Sequence, residues 1–469
     1  MKVRTRFSPS PTGMIHLGNA RTALFSNLFA AKHQGTFILR IEDTDVTRSE
    51  IQYVESLQLD LQWLGVHWQE GPGVDGEYGP YWQSQRQDIY DRYYNILERE
   101  KYSYPCFCSD QELNLARKLQ LSRGQAPRYL GTCKKLSAAE IETRLAEGRK
   151  PAWRFSVPAH QTVEFVDTVK GLQQFRTEDI GDFIVRRADG TAPFLFCNAI
   201  DDAMMEVSHV LRGEDHLANT PRQILLLKTL GLAIPHYGHL SLIVGDDGAP
   251  LSKRHGSFSV QEMRAKGYLP IAVINYLTRL GHACDSQHLL PFEELARHFQ
   301  LEKLSKSPAR FDLTQLMFWQ KIAVQALDIT ELWRWLGEHI ENQVPENLRQ
   351  LFAETIRANI EFPQDAAMWA RNFFHENVYI DTAEAEIIRE AGEQFFVEAE
   401  LAVDKFGMDL AAILAEMKQT LGVQGKKLFM PLRVALTGKM HGPELVQIVK
   451  LLGAKKMKHR LSNAFKLVA

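Results

Sequence analysis

The chain has 469 residues, of which 45% are hydrophobic and 24% are charged, and its formal net charge is −2. This length predicts about three domains of roughly 150 residues each, and the ordinary globular composition excludes a disordered, collagen-like or disulfide-rich protein. Because a net charge near zero provides no overall basic field, a nucleic-acid partner would require a local basic face.

The N-terminal part alternates predicted strands and helices. Val3, Thr5 and Phe7 alternate as in a short strand, SPSPTG interrupts regular structure, and residues 18–32 have helical periodicity. TFILRIE has the β-branched and aromatic content of a second strand, and residues 51–64 predict an amphipathic helix. A strand–helix–strand–helix order is typical of a parallel α/β sheet.

The rest of the chain changes character twice. Residues 103–190 are predicted to form an insertion with antiparallel strands, because runs such as AWRFSVP and DFIVRRADG alternate. Beyond about residue 320 the periodicity is helical almost throughout. Charge also divides there: residues 351–420 hold 14 acidic and 5 basic side chains, whereas residues 421–469 hold 1 and 10. The C-terminal segment is therefore strongly basic.

A phosphate site is predicted where the first loop meets the first helix. His16, Gly18 and Asn19 lie at the start of that helix, where free N–H groups and a partial positive charge favour phosphate. Gly13 and Gly18 let a ligand approach the backbone, and His16 can donate to phosphate oxygens. For these residues alone, a glycine turn with His16 as a capping residue is the commoner alternative.

The loop GDDGAPLSKRHG is the second candidate phosphate-binding element. It joins acidic turn residues to Ser252, Lys253, Arg254 and His255. A glycine-flanked basic loop can clamp polyphosphate, and a lysine there can neutralise a pyrophosphate leaving group. Taken alone, four such residues more commonly form a solvated basic loop.

Together, PSPTGxxHxG near the start and LSKRHG near the middle of the chain resemble the two signatures of class I aminoacyl-tRNA synthetases. In detail the chain is similar to bacterial glutamyl-tRNA synthetases over essentially its whole length. The segments that carry this resemblance are RFSPSPTGMIHLGNARTAL, FILRIEDTD, YWQSQRQDIYDRY, FCNAIDDAMMEVSHVLRGEDHLANTPRQ, PLSKRHG, SKSPARFD, MPLRVALTG and HGP.

The resemblance implies a multidomain α/β protein. A Rossmann-like class I synthetase catalytic domain with an inserted acceptor-binding domain would precede all-helical anticodon-binding domains. The implied segments are 1–102 for the first half of the catalytic domain, 103–190 for the acceptor-end insertion with a possible zinc site, 191–240 for the second half of the catalytic domain, 241–320 for a junction domain carrying the PLSKR loop, and 321–469 for the helical anticodon-binding region.

The resemblance also implies glutamate–tRNA ligase activity. Glutamate would attack the α-phosphate of ATP, release diphosphate, and move to the terminal ribose of tRNA(Glu). No covalent enzyme intermediate is implied, so catalysis would rest on positioning and electrostatic stabilisation. His16, Lys253 and Arg254 are expected to be catalytic, with His255 assisting, and Mg²⁺ is expected to accompany ATP. The residues expected to bind ATP are Pro11, Thr12, Gly13, His16, Gly18, Asn19, Ser252 and Lys253.

A glutamate pocket follows from the same resemblance. Its expected residues are Arg6, Ser8, Ser10, Glu42, Phe194, Asn198, Arg212 and His216. Two substrate carboxylates favour guanidinium forks, which Arg6 and Arg212 can supply, and Glu42 can accept from the substrate ammonium. The alternatives are a surface strand position for Arg6 and a solvated acidic turn, EDTD, for Glu42.

Three positions depart from the family pattern. Asn19 replaces the second histidine of the first signature, which many glutamyl enzymes also lack. Pro250 replaces the first lysine of the second signature, which removes one cation and stiffens the loop. Phe194 stands where the family often has tyrosine, so one hydroxyl contact to the substrate would be missing.

Three of the five cysteines cluster between residues 106 and 133. Three thiolates can bind Zn²⁺, but a closed structural site requires four ligands. Relatives with a zinc site supply the fourth from a histidine two positions after the last cysteine, here Lys135, or from a tyrosine. The implied ligands are Cys106, Cys108, Tyr129 and Cys133, and the alternative is three reduced thiols. Cys197 and Cys284 are expected in the core.

The basic C-terminal segment is the candidate tRNA surface. Helical spacing would direct Lys455, Lys458 and Lys456 toward phosphates, with Arg433 upstream, and each contact would add salt-dependent affinity. The alternative is that this basic helix pairs with the acidic stretch 351–420.

Other functions remain open at this point. A non-discriminating enzyme or specialised duplicate would charge glutamate onto tRNA(Gln), and a catalytically weak paralogue would only bind tRNA. Another nucleotidylyl transferase would leave the helical, basic C-terminal region unexplained. The sparse cysteines and the absence of a secretory signal or of an apolar run of roughly 18 residues predict a cytoplasmic protein without a membrane partner. Relatives are often monomers, so a monomer is expected.

Overall fold

The computed structural model describes residues 2–44, 49–251, 259–376 and 378–466, without the side chains of residues 338 and 339. It divides into two compact units, Met1–Arg264 with Val273–Leu313 and Ala265–Ala272 with Thr314–Ala469. Among the helices of these residues, none is both long and apolar enough for a membrane crossing.

The strands of the described residues all belong to the first unit. In chain order they are β1 Arg4–Phe7, β2 Thr36–Leu39, β3 Ser103–Cys106, β4 Ala152–Phe155, β5 Thr162–Asp167, β6 Gly171–Arg176, β7 Phe183–Arg186, β8 His209–Gly213, β9 His236–Leu240, β10 Ile243–Val244 and β11 Ala309–Arg310. The helices up to residue 298 are α1 Leu17–Lys32, α2 Ile51–Trp63, α3 Gln87–Arg99, α4 Asp110–Ser122, α5 Ala138–Ala146, α6 Thr177–Ile180, α7 Phe194–Met204, α8 Thr220–Thr229, α9 Val260–Lys266, α10 Pro270–Arg279 and α11 Phe292–His298.

Two parallel strand pairs lie side by side in this unit. β1 pairs with β2, with Arg4 opposite Thr36, and α1 connects them in the sequence. β8 pairs in parallel with β9, and α8 connects those two strands. The Ser208 N–H donates to the Arg4 carbonyl over 2.9 Å, and the Arg4 N–H donates to Ser208 Oγ over 2.8 Å. These βαβ connections confirm the predicted α/β architecture.

Packing around α1 explains its largely apolar sequence. Leu24 and Leu28 are fully buried, and the rings of Phe25 and Phe299 lie 5.1 Å apart at their centroids. Full burial of one such side chain contributes about 1.5–3 kcal/mol. This packing fixes α1, and with it the N-terminal end where a phosphate site is predicted.

The predicted insertion has the expected antiparallel structure. β3, β4 and β7 form a three-stranded antiparallel sheet, and β5 and β6 form a hairpin in which Asp167 lies opposite Gly171. Phe155 and Phe183 stack with ring centroids 5.2 Å apart, which gives this sheet an aromatic core.

The second unit is helical wherever the structure describes it, as the periodicity predicts. Its further helices are α12 Leu313–Ala326, α13 Ile329–Leu336, α14 Glu338–Glu341, α15 Arg349–Ile356, α16 Pro363–Phe374, α17 Thr382–Ala391, α18 Glu393–Phe406, α19 Leu410–Leu421, α20 Lys426–Thr437 and α21 Leu445–Ala464. Trp369, Phe373 and Phe352 form an aromatic core, with centroid separations of 5.5 and 6.2 Å along that series. α21 is interrupted at Gly453, whose φ of +71° is non-helical.

Candidate active site

A cleft of about 670 Å³ opens at the carboxyl ends of the parallel strands in the first unit. Its walls come from the end of β1 and the loop after it, the first turns of α1, α7, the end of β8 and the β9–β10 connection. In open α/β sheets ligands bind at this edge, because loops rather than strands follow it. The cleft is therefore the leading candidate for the catalytic centre.

Most of the predicted glutamate and ATP residues line this cleft. They are Arg6, Ser8, Ser10, Thr12, Gly18, Asn19, Glu42, Phe194, Asn198, Arg212 and His216, and Pro250 lies in the same wall. Pro11, Gly13 and His16 are not among the lining residues: Pro11 is buried, and the other two are exposed. The predicted positions Ser252, Lys253, Arg254 and His255 fall outside the described residues.

His16 occupies the N-cap position of α1. His16 therefore caps the helix by position, as the alternative supposed, but its side chain makes no capping hydrogen bond and is exposed. Its carbonyl accepts from the Ala20 N–H over 2.9 Å and so begins the helix. The imidazole remains available beside the free N–H groups of the first turn, where an anion is favoured.

Arg6 is buried rather than exposed on a surface strand, which excludes that alternative. Its Nε lies 3.2 Å from Asp202 Oδ1, and its Nη2 makes a long 3.5 Å contact to Asn198 Oδ1. Arg40 also pairs with Asp202 over 2.8 Å. Burial raises the pKa of Asp202, but Arg6 and Arg40 outweigh it and the net pKa is lowered. Arg6 thus has a counter-charge within the protein.

Arg212 makes no direct ion pair among the described residues, although the charges of Asp202 and Glu42 oppose the lowering of its pKa. Its Nη2 donates to Thr220 Oγ1 over 2.9 Å and to Gln223 Oε1 over 2.8 Å, and its Nε lies 3.2 Å from His239 Nε2. Its buried Nη1 has no hydrogen-bond partner within the described part of the chain. Burial lowers the pKa of Arg212 to about 10. A buried cation with only neutral partners is unfavourable unless an anion completes the site.

Glu42 is also buried, so the alternative of a solvated acidic turn is wrong for this residue. Its carboxylate accepts from Asn198 Nδ2 and lies 3.8 Å from Arg40 Nη2. Burial raises the pKa of Glu42 to about 7, although the Arg40 and Arg6 charges oppose the shift. The cleft therefore holds a carboxyl group that changes charge near neutral pH.

Phe194 and His216 form an aromatic wall, with ring centroids 5.1 Å apart. Burial, together with the nearby Arg212, lowers the pKa of His216 to about 4, so this imidazole is neutral at pH 7. Because His216 is neutral, it adds no second positive charge beside Arg212.

Sequence reasoning missed the buried charges beneath the cleft. Arg40 and Asp202 are almost fully buried, and so is Arg21, which lines the cleft and donates to the carbonyls of Leu280 and Ser241. A signal was present: Arg40 interrupts the apolar strand FILRIE, and Asp202 interrupts the apolar helix FLFCNAIDDAM. Charged residues within apolar elements are rarely buried without a partner.

A candidate metal centre lies in the insertion. The sulfur atoms of Cys106, Cys108 and Cys133 all lie within 4.8 Å of one another. Tyr129 Oη is 3.5 Å from both Cys106 Sγ and Cys108 Sγ, and the Cys108 and Cys133 sulfurs are also 3.5 Å apart. Ligands about 2.0–2.3 Å from a tetrahedral zinc ion are separated by roughly 3.3–3.8 Å. The three 3.5 Å separations lie in this range, so the cysteine cluster could bind a zinc ion.

The two isolated cysteines, Cys197 and Cys284, differ in burial. Cys197 is fully buried, as expected for a core residue, and burial raises its pKa. Cys284 is only partly buried.

The basic C-terminal residues are engaged to different degrees. Lys458 Nζ pairs with Asp404 over 2.6 Å and with Glu400 over 3.8 Å, and Lys456 Nζ donates to the carbonyls of Phe373 and Phe374. Arg433 is half-buried and donates to the Pro443 carbonyl. Lys455 is exposed. For Lys458, the predicted alternative of pairing with the acidic stretch is what the structure shows.

Residues 2–318 match a family model for the catalytic domain of class I tRNA synthetases (E and Q), and residues 328–465 match an anticodon binding domain. Glutamate–tRNA ligase 2 of Coxiella burnetii is 53% identical over 462 residues, which cover 98% of this chain and 99% of the relative. Glutamate–tRNA ligase 2 of Nitrosococcus oceani is 54% identical over 461 residues, 98% of either chain.

The fold has a close match among solved structures. A crystal structure of a glutamate tRNA ligase from Elizabethkingia meningosepticum, in complex with its amino acid, matches with a TM-score of 0.90 at 28% identity, and the match covers 100% of both chains. These matches confirm both the resemblance carried by the motifs and the predicted fold class. The chain belongs to the family of class I tRNA synthetases for glutamate and glutamine.

Proposed function

We propose that this chain is a glutamate–tRNA ligase, which activates L-glutamate with ATP and transfers it to the 3′ end of tRNA(Glu), forming AMP and diphosphate. The observation that supports glutamate as the amino-acid substrate is the state of Arg212. This guanidinium is buried, its hydrogen-bond partners are neutral, and its Nη1 has no partner among the described residues. A glutamate carboxylate would supply the missing negative charge and accept from that nitrogen.

Other polar groups of the cleft complete this glutamate site. Ionised Glu42 would accept from the substrate ammonium, and Ser8 Oγ is buried without a hydrogen-bond partner among the described residues. Glutamate has two carboxylates, and we assign one to Arg212 and the other to Arg6. Asp202 already neutralises much of the Arg6 charge, so the contact of Arg6 should be the weaker of the two. Ser10, Phe194, Asn198 and His216 form the remaining walls.

In the first step a carboxylate oxygen of glutamate would attack the α-phosphorus of ATP, and the bond to the bridging oxygen of the diphosphate would break. Free N–H groups at the start of α1, with His16, would stabilise charge on the phosphate oxygens. Thr12, Gly18 and Asn19 line the cleft, and we assign them to ATP binding. We assign the same role to Pro11 and Gly13, which flank Thr12 but are not among the lining residues. We assign the same role to Ser252, Lys253 and Arg254, which lie outside the described residues.

In the second step a hydroxyl of the terminal ribose would attack the activated carbonyl carbon, and AMP would leave. No protein side chain forms a covalent bond in either step, so rate enhancement would come from positioning and charge stabilisation. Family membership implies ATP and Mg²⁺, and the metal would neutralise phosphate charge.

We also propose one structural zinc ion, held by Cys106, Cys108, Tyr129 and Cys133. Support comes from the convergence of the four side chains. Arg154 adds to it, because its Nε lies 3.1 Å from Cys106 Sγ and can stabilise a thiolate. When bound, zinc would supply a rigid cross-link in the segment 103–190, which we assign to the tRNA acceptor end.

We assign the helical region 321–469 to the anticodon end of the tRNA. We assign residues 241–320 to a junction domain, which follows the two catalytic segments 1–102 and 191–240 and precedes that helical region. Among the four predicted tRNA residues, Lys455 is the exposed one and therefore the best placed for a phosphate contact. Lys456, Lys458 and Arg433 would contribute only if their present contacts were exchanged. We further propose that the protein acts as a monomer in the cytoplasm, where its cysteines would stay reduced.

The test is charging of two purified transcripts, tRNA(Glu) and tRNA(Gln), with labelled glutamate and ATP, and Lys253→Ala as the inactive control. We expect charging of tRNA(Glu) by the unaltered chain and not by the variant. Charging of tRNA(Gln) as well would identify a non-discriminating or specialised duplicate. If neither transcript is charged, the ligase proposal is wrong and a tRNA-binding paralogue takes its place.

A further inference from the structure

A buried series of three side chains leads from the insertion to the cleft. Asp167 ends β5, His239 lies in β9 and Arg212 lies in β8, and their exposed fractions are 2%, 0% and 5%. Asp167 Oδ2 lies 2.5 Å from His239 Nδ1, and His239 Nε2 lies 3.2 Å from Arg212 Nε. Thr220 Oγ1 contacts His239 Nε2 over 2.9 Å as well.

The chemistry of the two ends fixes the direction of every hydrogen bond in this series. A guanidinium can only donate, so His239 Nε2 must accept from Arg212. A carboxylate can only accept, so His239 Nδ1 must carry the proton that points to Asp167. Burial lowers the pKa of His239 despite the opposing effect of Asp167, which keeps the imidazole neutral. Burial raises the pKa of Asp167, but hydrogen bonds from His239 and the Lys170 N–H outweigh it and keep the carboxylate charged.

The position of Asp167 is itself set by backbone. Its Oδ1 accepts from the N–H groups of Val169, Lys170 and His239 over 2.9, 2.7 and 3.2 Å. The hairpin turn packs tightly on β9: a Cβ atom at Gly238 would come within 2.4 Å of Thr168 Oγ1. The carboxylate therefore has little freedom to leave His239.

We propose that Asp167 and His239 are positioning residues for the substrate specificity of the cleft. Together they hold Arg212 so that its free Nη1 is available to a carboxylate of the amino-acid substrate. This inference rests on the proposed function of Arg212. Because all direct partners of Arg212 are neutral, a substrate carboxylate would form its first direct ion pair, and a neutral side-chain amide such as that of glutamine would leave Arg212 without one.

The two conservative variants of His239 separate positioning from simple folding. His239→Gln places an amide near the position of Nε2, so an acceptor for Arg212 is kept while the donor to Asp167 is lost. His239→Asn places an amide near Nδ1, so the donor to Asp167 is kept while the acceptor for Arg212 is lost. A purely structural role predicts no preference for the variant that preserves the Arg212 contact.

The experiment is steady-state charging of tRNA(Glu) by the full chain, with separate KM values for glutamate and ATP. We expect His239→Asn to raise the glutamate KM by about 10-fold or more, and His239→Gln by less than about 3-fold, with the ATP KM unchanged in both. Asp167→Asn is expected to behave like His239→Asn, because an amide can donate to Nδ1 and favour the tautomer whose Nε2–H opposes Arg212.

The outcomes also separate this inference from the proposed function. If His239→Asn and His239→Gln raise the glutamate KM equally, leave it unchanged, or both unfold, the positioning role is wrong. Arg212→Ala provides the reference. If that variant leaves the glutamate KM unchanged, the proposed glutamate site and the positioning role both fail. If it raises the KM while His239→Asn does not, only the positioning role fails.

Discussion

Arg212 in the cleft and Lys458 in the C-terminal segment are both predicted to bind an anion, but they differ in the partners that the protein itself provides. Lys458 Nζ lies 2.6 Å from Asp404 and 3.8 Å from Glu400, so its charge is already balanced by an exposed and a half-buried carboxylate. Arg212 is buried, all of its partners are neutral, and its Nη1 has no hydrogen-bond partner within the described residues. The difference teaches that a cation marks a ligand site when the fold buries it without a direct ion pair.

The largest expected effect is on Arg212 itself. Arg212→Ala should raise the glutamate KM by about 30-fold or more, since truncating one partner of a buried charge-assisted contact costs about 2–5 kcal/mol. The matched control is Arg222→Ala on α8, because that guanidinium donates to the carbonyls of Ala218 and Ile180 and does not line the cleft. Equal glutamate KM values for the two variants would show that Arg212 has no special role in binding the substrate, and its contrast with Lys458 would then be wrong.

The cysteine cluster is a second place where side chains converge on one point. We expect the purified chain to hold one zinc ion and Cys133→Ser to hold almost none, because a closed structural site requires all four ligands. Elemental analysis measures the metal, and the melting temperature should fall with it. Cys284→Ser, outside the cluster, is the control and should retain zinc. Zinc-free wild-type protein would instead support three reduced thiols.

Glu42 predicts a pH dependence for the cleft. Burial raises its pKa to about 7, so the carboxylate that would attract the substrate ammonium is progressively protonated below that pH. The glutamate KM should therefore rise by up to about tenfold per pH unit below 7. In Glu42→Gln the KM should be higher at pH 8 and nearly independent of pH. The same raised pKa makes the Glu42 contribution to folding stability decrease as pH rises from about 4.5 to 7.

The smallest effects are expected in the C-terminal segment. Lys455→Ala should raise the tRNA KM by about two- to fivefold and reduce the salt dependence by roughly one phosphate contact. Lys458→Ala should do less, because that lysine already pairs with Asp404. A larger effect for Lys458 than for Lys455 would show that tRNA displaces the internal ion pair, and would weaken the contrast with Arg212.

Local patterns carried much of the fold prediction. The strand predicted at β1, the helix predicted at α1 and the antiparallel strands predicted for the insertion each depend on neighbouring residues, and each is present in the structure. The helical spacing of Lys455 and Lys458 did not predict which groups these lysines contact. The carboxylate partners of Lys458 lie on α18, and they are set by the packing of α21 against that helix.

The cleft was predictable only in part. Arg212 and Glu42 followed from family resemblance, whereas their burial, and the neutral partners of Arg212, depend on contacts across long sequence separations. His239 lies 72 residues from Asp167 and 27 from Arg212, and Arg6 lies 196 from Asp202. No local period encodes such pairs, so the supporting charges were missed even where an apolar segment containing Arg40 or Asp202 gave a hint.

The most direct test of the central claim is a crystal structure of the chain with L-glutamate bound. We predict a substrate carboxylate oxygen within about 3.2 Å of Arg212 Nη1, in the range of a hydrogen bond. A structure in which glutamate occupies the cleft while Arg212 Nη1 remains without an anion would contradict the account.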